Sequence, residues 1–431
     1  MPIFMLLCNG QSAGRRMRDM TKWQAHGIMA GYGAARCGPV RDGETGMRVG
    51  SWMAPRMAAL LAALLAAGCA PPLRPLQSLS DPEVQRVMRR EQVQGLALAT
   101  IENGQVAKVR VFGMRNAALG NPLTPDTVLY GASLTKTAFA YMVLQLADEG
   151  RLDLDAPLSR LLPHPLPAYR LRPFDFSDLA GDARWQALTP RMLLAHGGGF
   201  ANFRWLEPDG RLRLHVDPGT RYAYSGEGYM LLQLVIEQGL GLDVGQEMQR
   251  RVFDRFGMRR TSMHWRPEFA DNVADGYGFD GAVQPHERRY RVRAAGSMDT
   301  TIADQAKLWA GIMRGDGLRP DTRAALTTGW LPIASRHQFP TFDAGEAEWP
   351  QKLAAGLGVV TFEDRSGPGW FKGGHDDAAA AFVLCLETGQ RCVVMLSNDV
   401  RAERIFPELG RQALGPDDMP WSWEFAWMDP Q

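Results

Sequence analysis

The sequence predicts an α+β fold: an antiparallel sheet flanked by helices, with a mostly helical subdomain inserted into it. Three observations carry this. A hairpin pattern stands near residue 100. Strand patterns return only after Lys352. The long stretch between them reads mostly as helix and loop. The matching domain plan is a sheet subdomain over 81–130 and 300–431 and a helical subdomain over 131–299.

The elements follow in order. Asp81 to Val93 reads as a helix, with Asp81 as cap and Pro82 at the first position. Leu96–Ile101 and Val106–Phe112 flank Asn103-Gly104, a favourable hairpin turn. A buried-looking run, Val128-Leu-Tyr130, leads through Gly131-Ala132 into Ser133 and a helix with Phe139, Met142, Val143 and Leu146 on its apolar positions. Arg151–Leu162 is a loop and a short helix. Leu188–Ala195 is a second short helix capped by Thr189, with Pro190 at its first position. Glu227–Gln238 and Thr301–Met313 are further helices. Strands are expected over Ala355–Phe362, Ala380–Leu386 and Cys392–Leu396, then a closing helix over Arg401–Leu414. The aromatic tail Trp421-Ser-Trp-Glu-Phe-Ala-Trp427 is expected to pack on the domain.

The composition is that of an ordinary globular chain, 22% charged with a net charge of +1, which argues against a nucleic-acid partner. Near the N-terminus, Met57–Gly68 is a short apolar run preceded by Arg48 and Arg56 and ended by Cys69. It is too short to span a bilayer comfortably and has the basic flank of an export signal. Leu65-Ala-Ala-Gly-Cys69 resembles a bacterial lipoprotein signal, which implies a lipid on Cys69. A plain cleaved signal or an uncleaved anchor are the alternatives. Residues 1–46 then read as an extension from a mis-called start, residues 47–68 as the signal, and residues 69–80, with Pro71, Pro72 and Pro75, as a tether. The expected location is the periplasmic face of the cell envelope, with the membrane as a partner through the anchor.

Export bears on the cysteines. Cys385 and Cys392 flank a turn centred on Thr388-Gly389, which sets them opposite each other in a hairpin. Directly opposed residues have Cα atoms about 4.5–5.5 Å apart, within disulfide range. Two small buried thiols are the alternative.

The chemistry centres on Ser133-Leu-Thr-Lys136. A hydroxyl and an amine three residues apart share one helix face. A serine hydroxyl is a weak nucleophile until a neighbour takes its proton. Lys can do so when burial or nearby positive charge lowers its pKa, whereas Arg stays charged. Only six of the 48 basic residues are Lys, so an amine at 136 stands out. A plain Ser helix cap would look similar in sequence.

Two further segments complete a pattern: Tyr222-Ala-Tyr-Ser-Gly-Glu-Gly-Tyr229, leading into a helix, and Trp370-Phe-Lys-Gly-Gly-His375, preceding an apolar strand. With Ser133-x-x-Lys136 they resemble the three signature elements of serine β-lactamases and penicillin-binding proteins. The nearest group holds class C β-lactamases, D-Ala-D-Ala carboxypeptidases and β-lactamase-like esterases. The resemblance runs from about Asp81 to the end and includes Gly150–Asp155, Leu193–Phe200 and Ala295–Thr301.

The resemblance implies a β-lactamase/transpeptidase-like fold and these roles. Ser133 is the acylated nucleophile, and Lys136 takes its proton. Tyr224 shares proton transfer with Lys136 and helps activate the deacylating water. Lys372 steadies the tyrosine oxygen and a substrate carboxylate. Gly373 and Gly374 let the substrate lie close to the strand, and the backbone N–H groups of Ser133 and His375 form an oxyanion hole. Two departures stand out. Gly226 replaces the usual Asn of the second element, and Gly373 replaces the usual Thr of the third. His196 reads as a loop-stabilising residue rather than a metal ligand, since no second ligand stands at ligand spacing. Glu227 reads as favouring the first turn of its helix. The expected function is a serine hydrolase acting through an acyl-enzyme on an ester or amide, peptidoglycan-derived or another small molecule, with no cofactor. A true β-lactamase or D,D-carboxypeptidase is the alternative, and a non-catalytic envelope-binding lipoprotein is the alternative from another class.

Overall fold

The computed structural model describes residues 80–171, 174–342, 352–415 and 417–429. The expected extension, signal, most of the tether and Cys69 lie outside the described residues.

Helix α1 (Asp81–Arg90) opens the domain. Its cap is Ser80 rather than the expected Asp81. Ser80 has the extended backbone a cap needs, and it forms a reciprocal capping box with Glu83: its Oγ accepts from Glu83 N, and its N donates to Glu83 Oε2 at 3.0 Å. The hairpin β1 (Gly95–Glu102) and β2 (Gln105–Asn116) follows. Asn103 and Gly104 join them with φ of 51° and 68°, the paired positive values that suit this two-residue turn. Short strand β3 (Asn121–Pro122) extends the sheet, and β4 (Leu129–Tyr130) pairs instead with β5 (Asp299–Thr300).

Helix α2 (Leu134–Asp148) is buried at every residue from Leu134 to Gln145 as well as Leu146. A helix without a wet face belongs to the core, and it packs against the strand that carries Lys372. Short α3 (Pro190–Leu194) is capped by Thr189 as expected. Helix α4 (Gly226–Leu234) runs on into a wider turn, Val235–Gly239. Helix α5 (Ile302–Arg314) ends at Gly315 in the left-handed conformation.

The chain then returns to the sheet through β6 (Leu331–Ile333), β7 (Leu353–Ala355), β8 (Val360–Asp364), β9 (Gly367–His375), β10 (Ala380–Leu386) and β11 (Arg391–Ser397). The spatial order is β6-β7-β8-β9-β10-β11-β1-β2-β3, antiparallel throughout. The hairpin near the start thus joins the late strands in one sheet. One strand expectation needs correction. Ala355–Phe362 is two strands, because Gly356-Leu-Gly358 turns the chain between β7 and β8. The Trp370–His375 segment precedes the apolar strand β10 as expected, and it is itself the end of β9. Cys385 pairs directly with Cys392, their Cα atoms 4.1 Å apart, and a disulfide joins them.

Helix α6 (Phe406–Leu414) follows a single-turn segment, Val400–Arg404. The aromatic tail forms α7 (Trp421–Glu424) and packs as expected. Trp421, Trp423 and Phe425 are buried, with Trp421 centred 5.1 Å from Phe382 and Trp423 5.9 Å from Phe371. One continuous apolar core joins the sheet, α2 and the helices between. Among the described residues no helix is long and apolar enough to cross a membrane.

Candidate active site

Three stretches far apart in sequence meet where the N-terminus of α2 faces β9 and the loop before α4. Gly131 N donates to Met298 O at 2.8 Å, which fixes the approach to the helix. Ala132 then takes φ of 44°, a left-handed conformation that costs a non-glycine residue about 1–3 kcal/mol. Thr135 holds it there. Its Oγ1 donates to Ala132 O at 2.6 Å and accepts from Met298 N at 3.2 Å. Ser133 is thereby set at the head of α2, where backbone N–H groups favour negative charge.

Ser133 is not a plain helix cap, since its side chain makes no cap hydrogen bond. Its Oγ lies instead 3.1 Å from Lys136 Nζ. Lys136 is fully buried and donates to Ala295 O at 2.6 Å. Burial drives its pKa below the usual lysine value; Tyr224 opposes this and Lys372 reinforces it. The structure thus supplies the condition that a proton-accepting amine requires.

Tyr224 sits between the two lysines. Lys136 Nζ and Lys372 Nζ each stand 5.0 Å from its ring centroid, and Lys372 Nζ donates to Tyr224 Oη at 3.3 Å. Lys372, buried on β9, also donates to Gly373 O at 2.6 Å. Burial pushes Lys372 down to about 8, against the pull of Glu424.

His196 stabilises its loop as expected, and it does so against the segment that carries Tyr224. It takes φ of 56°, its Nδ1 accepts from Ser225 N at 3.0 Å, and its ring lies 4.4 Å from that of Tyr224. Burial holds its pKa well below the usual histidine value, and Lys136 and Lys372 add to this. With Nδ1 accepting from Ser225 N, the neutral ring carries its proton on Nε2. Ser225 caps α4, accepting from Gly228 N and donating to Ala201 O. Together these bonds fix the backbone on which Tyr224 rides.

Both glycines of the third element have a packing reason. A Cβ on Gly374 would stand 2.8 Å from Ser133 N and 3.2 Å from Leu134 N. A Cβ on Gly373 would stand 1.7 Å from Glu424 Oε1. A Cβ at either position would thus meet protein. The same holds at Gly226, whose Cβ would meet the Phe203 ring at 2.3 Å. Phe203 stacks on Trp205 at 4.1 Å. Glu227 has a larger part here than the expected dipole effect. It grips Arg204 in a two-pronged pair, at 2.7 and 2.9 Å, and accepts from Arg204 N, anchoring the loop that carries both aromatics.

His375 ends β9 with its side chain 44% exposed. The Glu403 carboxylate 2.8 Å away raises its pKa. Among the described residues no cluster of three or more His, Cys, Asp or Glu could hold a metal ion.

The sequence model of the Beta-lactamase family matches residues 81–414. The chain belongs to that family. Penicillin-binding protein 4 of Amycolatopsis lactamdurans is 24% identical to it over 345 residues, covering 75% of this chain and 85% of the relative. Lovastatin esterase of Penicillium rubens is 28% identical over 191 residues, covering 38% and 47%. Three of the curated relatives, lovastatin esterase among them, are matched over only 43–59% of their own length. The structure of the D-alanine carboxypeptidase AmpC of Burkholderia cenocepacia superposes with a TM-score of 0.61 at 18% identity, covering 78% of this chain and 97% of that one. This likeness establishes the β-lactamase/transpeptidase fold.

Proposed function

We propose that the protein is a serine hydrolase that cleaves esters through an acyl-enzyme. The observation that carries this is the buried Lys136 amine, 3.1 Å from a Ser133 hydroxyl that caps nothing. Ser133 Oγ attacks the substrate carbonyl and its proton passes to Lys136. The tetrahedral oxyanion lies against the N–H groups of Ser133 and His375. Lys136 and Tyr224 return the proton to the leaving oxygen, and the C–O bond breaks. Water then attacks the acyl-enzyme by the same route in reverse.

Phe203 favours ester over β-lactam. Where the resemblance places an Asn that contacts the amide of β-lactam substrates, Gly226 carries no side chain and the Phe203 ring fills the space. An apolar wall there suits a substrate without that amide. Relatives named as esterases, with penicillin-binding proteins beside them, are consistent with this.

The test is Ser133→Ala. Wild type is expected to hydrolyse p-nitrophenyl esters faster than nitrocefin or a D-Ala-D-Ala peptide, and to take a fluorophosphonate label at Ser133. The variant loses both. Ester turnover retained by the variant would remove Ser133 from the role. We also propose that the enzyme is held at the cell envelope by a lipid on Cys69, so that Cys69→Ser releases it from the membrane fraction.

A further inference from the structure

The tail that ends the described chain brings a carboxylate into the site. Glu424 closes α7, and its Oε1 occupies the space a side chain at 373 would need. It is held from the other side by the 334–342 loop. Gln338 Nε2 donates to Glu424 Oε2 at 3.0 Å, and Gln338 N donates to Trp423 O at 2.9 Å. The same loop presents Phe339 edge-on to Tyr224, with centroids 5.4 Å apart. Arg336 ties the loop to Asp429 at 2.7 Å. Tail and loop therefore form one wall, anchored at both ends, with Glu424 facing β9 beside Lys372.

A charge count follows. Lys372 is buried and Glu424 partly buried, and each favours the charged form of the other. Ionised, the pair sums to zero; with the proton shared, it also sums to zero. His375 is matched by Glu403 at 2.8 Å. Lys136 is shifted towards its neutral form. Among the described residues, Lys372 and His375 on β9 are thus each balanced by a carboxylate of the protein itself.

We infer that Glu424 is a specificity-determining residue: a built-in carboxylate that takes the place of a substrate carboxylate beside Lys372 and Gly373, so that the enzyme accepts neutral or cationic substrates and rejects those with a free carboxylate there. This rests on the acyl-transfer reading above and names its substrate class. It gives the absent Thr at 373 a reason, since a side chain there would need the space that Glu424 Oε1 holds.

Two matched ester series test it. One carries carboxylate, carboxamide or aminomethyl on the leaving phenol of an aryl butyrate. The other carries carboxylate, methyl or amine at the end of the acyl chain. Whichever half lies along β9 reports. Like charges a few ångströms apart in a partly buried site justify a preference of about tenfold or more. Wild type is expected to disfavour the carboxylate member by that factor in kcat/KM in one series, and Glu424→Gln and Glu424→Ala to erase it. A wild type that favours or tolerates the carboxylate in both series overturns the inference, as does a preference unchanged in the two variants.

Folding is read separately. Gly373→Ala should lower the melting temperature, and adding Glu424→Ala should restore much of it, because the collision is between those two groups. Strictly additive losses would place the tail elsewhere and overturn the inference. Ser133→Ala separates the two levels. If wild type hydrolyses neither series and takes no fluorophosphonate, the acyl-transfer reading falls and the Glu424 assignment with it. If Ser133-dependent turnover is present and Glu424 has no effect on charge preference, the Glu424 assignment alone falls.

Discussion

Gly374→Ala is the sharpest probe of how the site is assembled. The added Cβ would sit 2.8 Å from Ser133 N and 3.2 Å from Leu134 N, both backbone atoms of the helix N-terminus. Contacts of this kind are comfortable at about 3.5–4.0 Å, so β9 and α2 must separate by roughly 0.7–1.2 Å. Gly374 has no positive φ, so alanine fits its backbone conformation and only the space is lacking. The Ser133 amide that the Cβ displaces is an expected oxyanion donor. Losing one such donor costs about 10²–10³ in rate, about 2.7–4 kcal/mol of barrier, and misplacement by about 1 Å costs about 10². The stability cost of such overpacking is smaller, about 1–3 kcal/mol. Steady-state hydrolysis of p-nitrophenyl butyrate is therefore expected to fall at least 10²-fold in kcat, with KM little changed, while thermal unfolding shows a folded protein. Activity within threefold of wild type would mean that the strand does not press on this amide and that the oxyanion-hole geometry is wrong.

Other outcomes follow from the same geometry. Lys136→Arg should lose acylation as fully as Lys136→Met, about 10³-fold or more in fluorophosphonate labelling rate, because a guanidinium cannot give up its proton. His196→Phe keeps a ring against Tyr224 but leaves the buried Ser225 N–H without its acceptor, at a cost of about 1–3 kcal/mol, read as a lower melting temperature and a lower kcat. Lys372 has a folded pKa of about 8, below that of an unfolded lysine, so the unfolded state binds more protons between pH 8 and about 10. Stability from this group therefore rises with pH through that window. Lys372→Met should flatten the rise in melting temperature measured from pH 7.5 to 9.5, and an unchanged slope would refute the shift. Replacing Cys385 and Cys392 with Ser opens a hairpin loop of a few residues, worth about 2–3 kcal/mol in the chain-entropy account. Thiol titration of the unreduced, denatured protein should find neither cysteine free.

The sheet was legible because its strands declare themselves locally. The Asn103-Gly104 turn and the apolar runs around Cys385 and Cys392 need no tertiary information. Ser133, Lys136, Tyr224 and Lys372 were legible because each sits in a short motif, and the structure brings all four together. What was hidden depends on segments that meet only in the fold. Nothing local marks Ala132 for a left-handed backbone except the Gly-Ala pair before the serine. His196 looked like a loop histidine because Tyr224 is 28 positions away. Glu424 was read only as part of an aromatic tail, since its partner Gly373 lies some fifty residues earlier.

The two departures from the family pattern join what was legible to what was hidden. Read alone, Gly226 and Gly373 are losses, two missing side chains that would have touched substrate. In the fold neither position is open. Phe203 fills the first and Glu424 the second, each brought in by a segment locked in place, one by the Arg204–Glu227 pair and the other by Gln338. Simple decay would leave space at these points. At each position the glycine is matched by a side chain from outside its motif, beside the same Ser133, Lys136 and Tyr224. On the proposed acyl-transfer reading, the acid–base groups are kept while the surfaces beside them are exchanged: an aromatic wall for an amide, and a carboxylate for a hydroxyl. On that reading, selection of substrate resides in Phe203 and Glu424, which belong to none of the three signature elements.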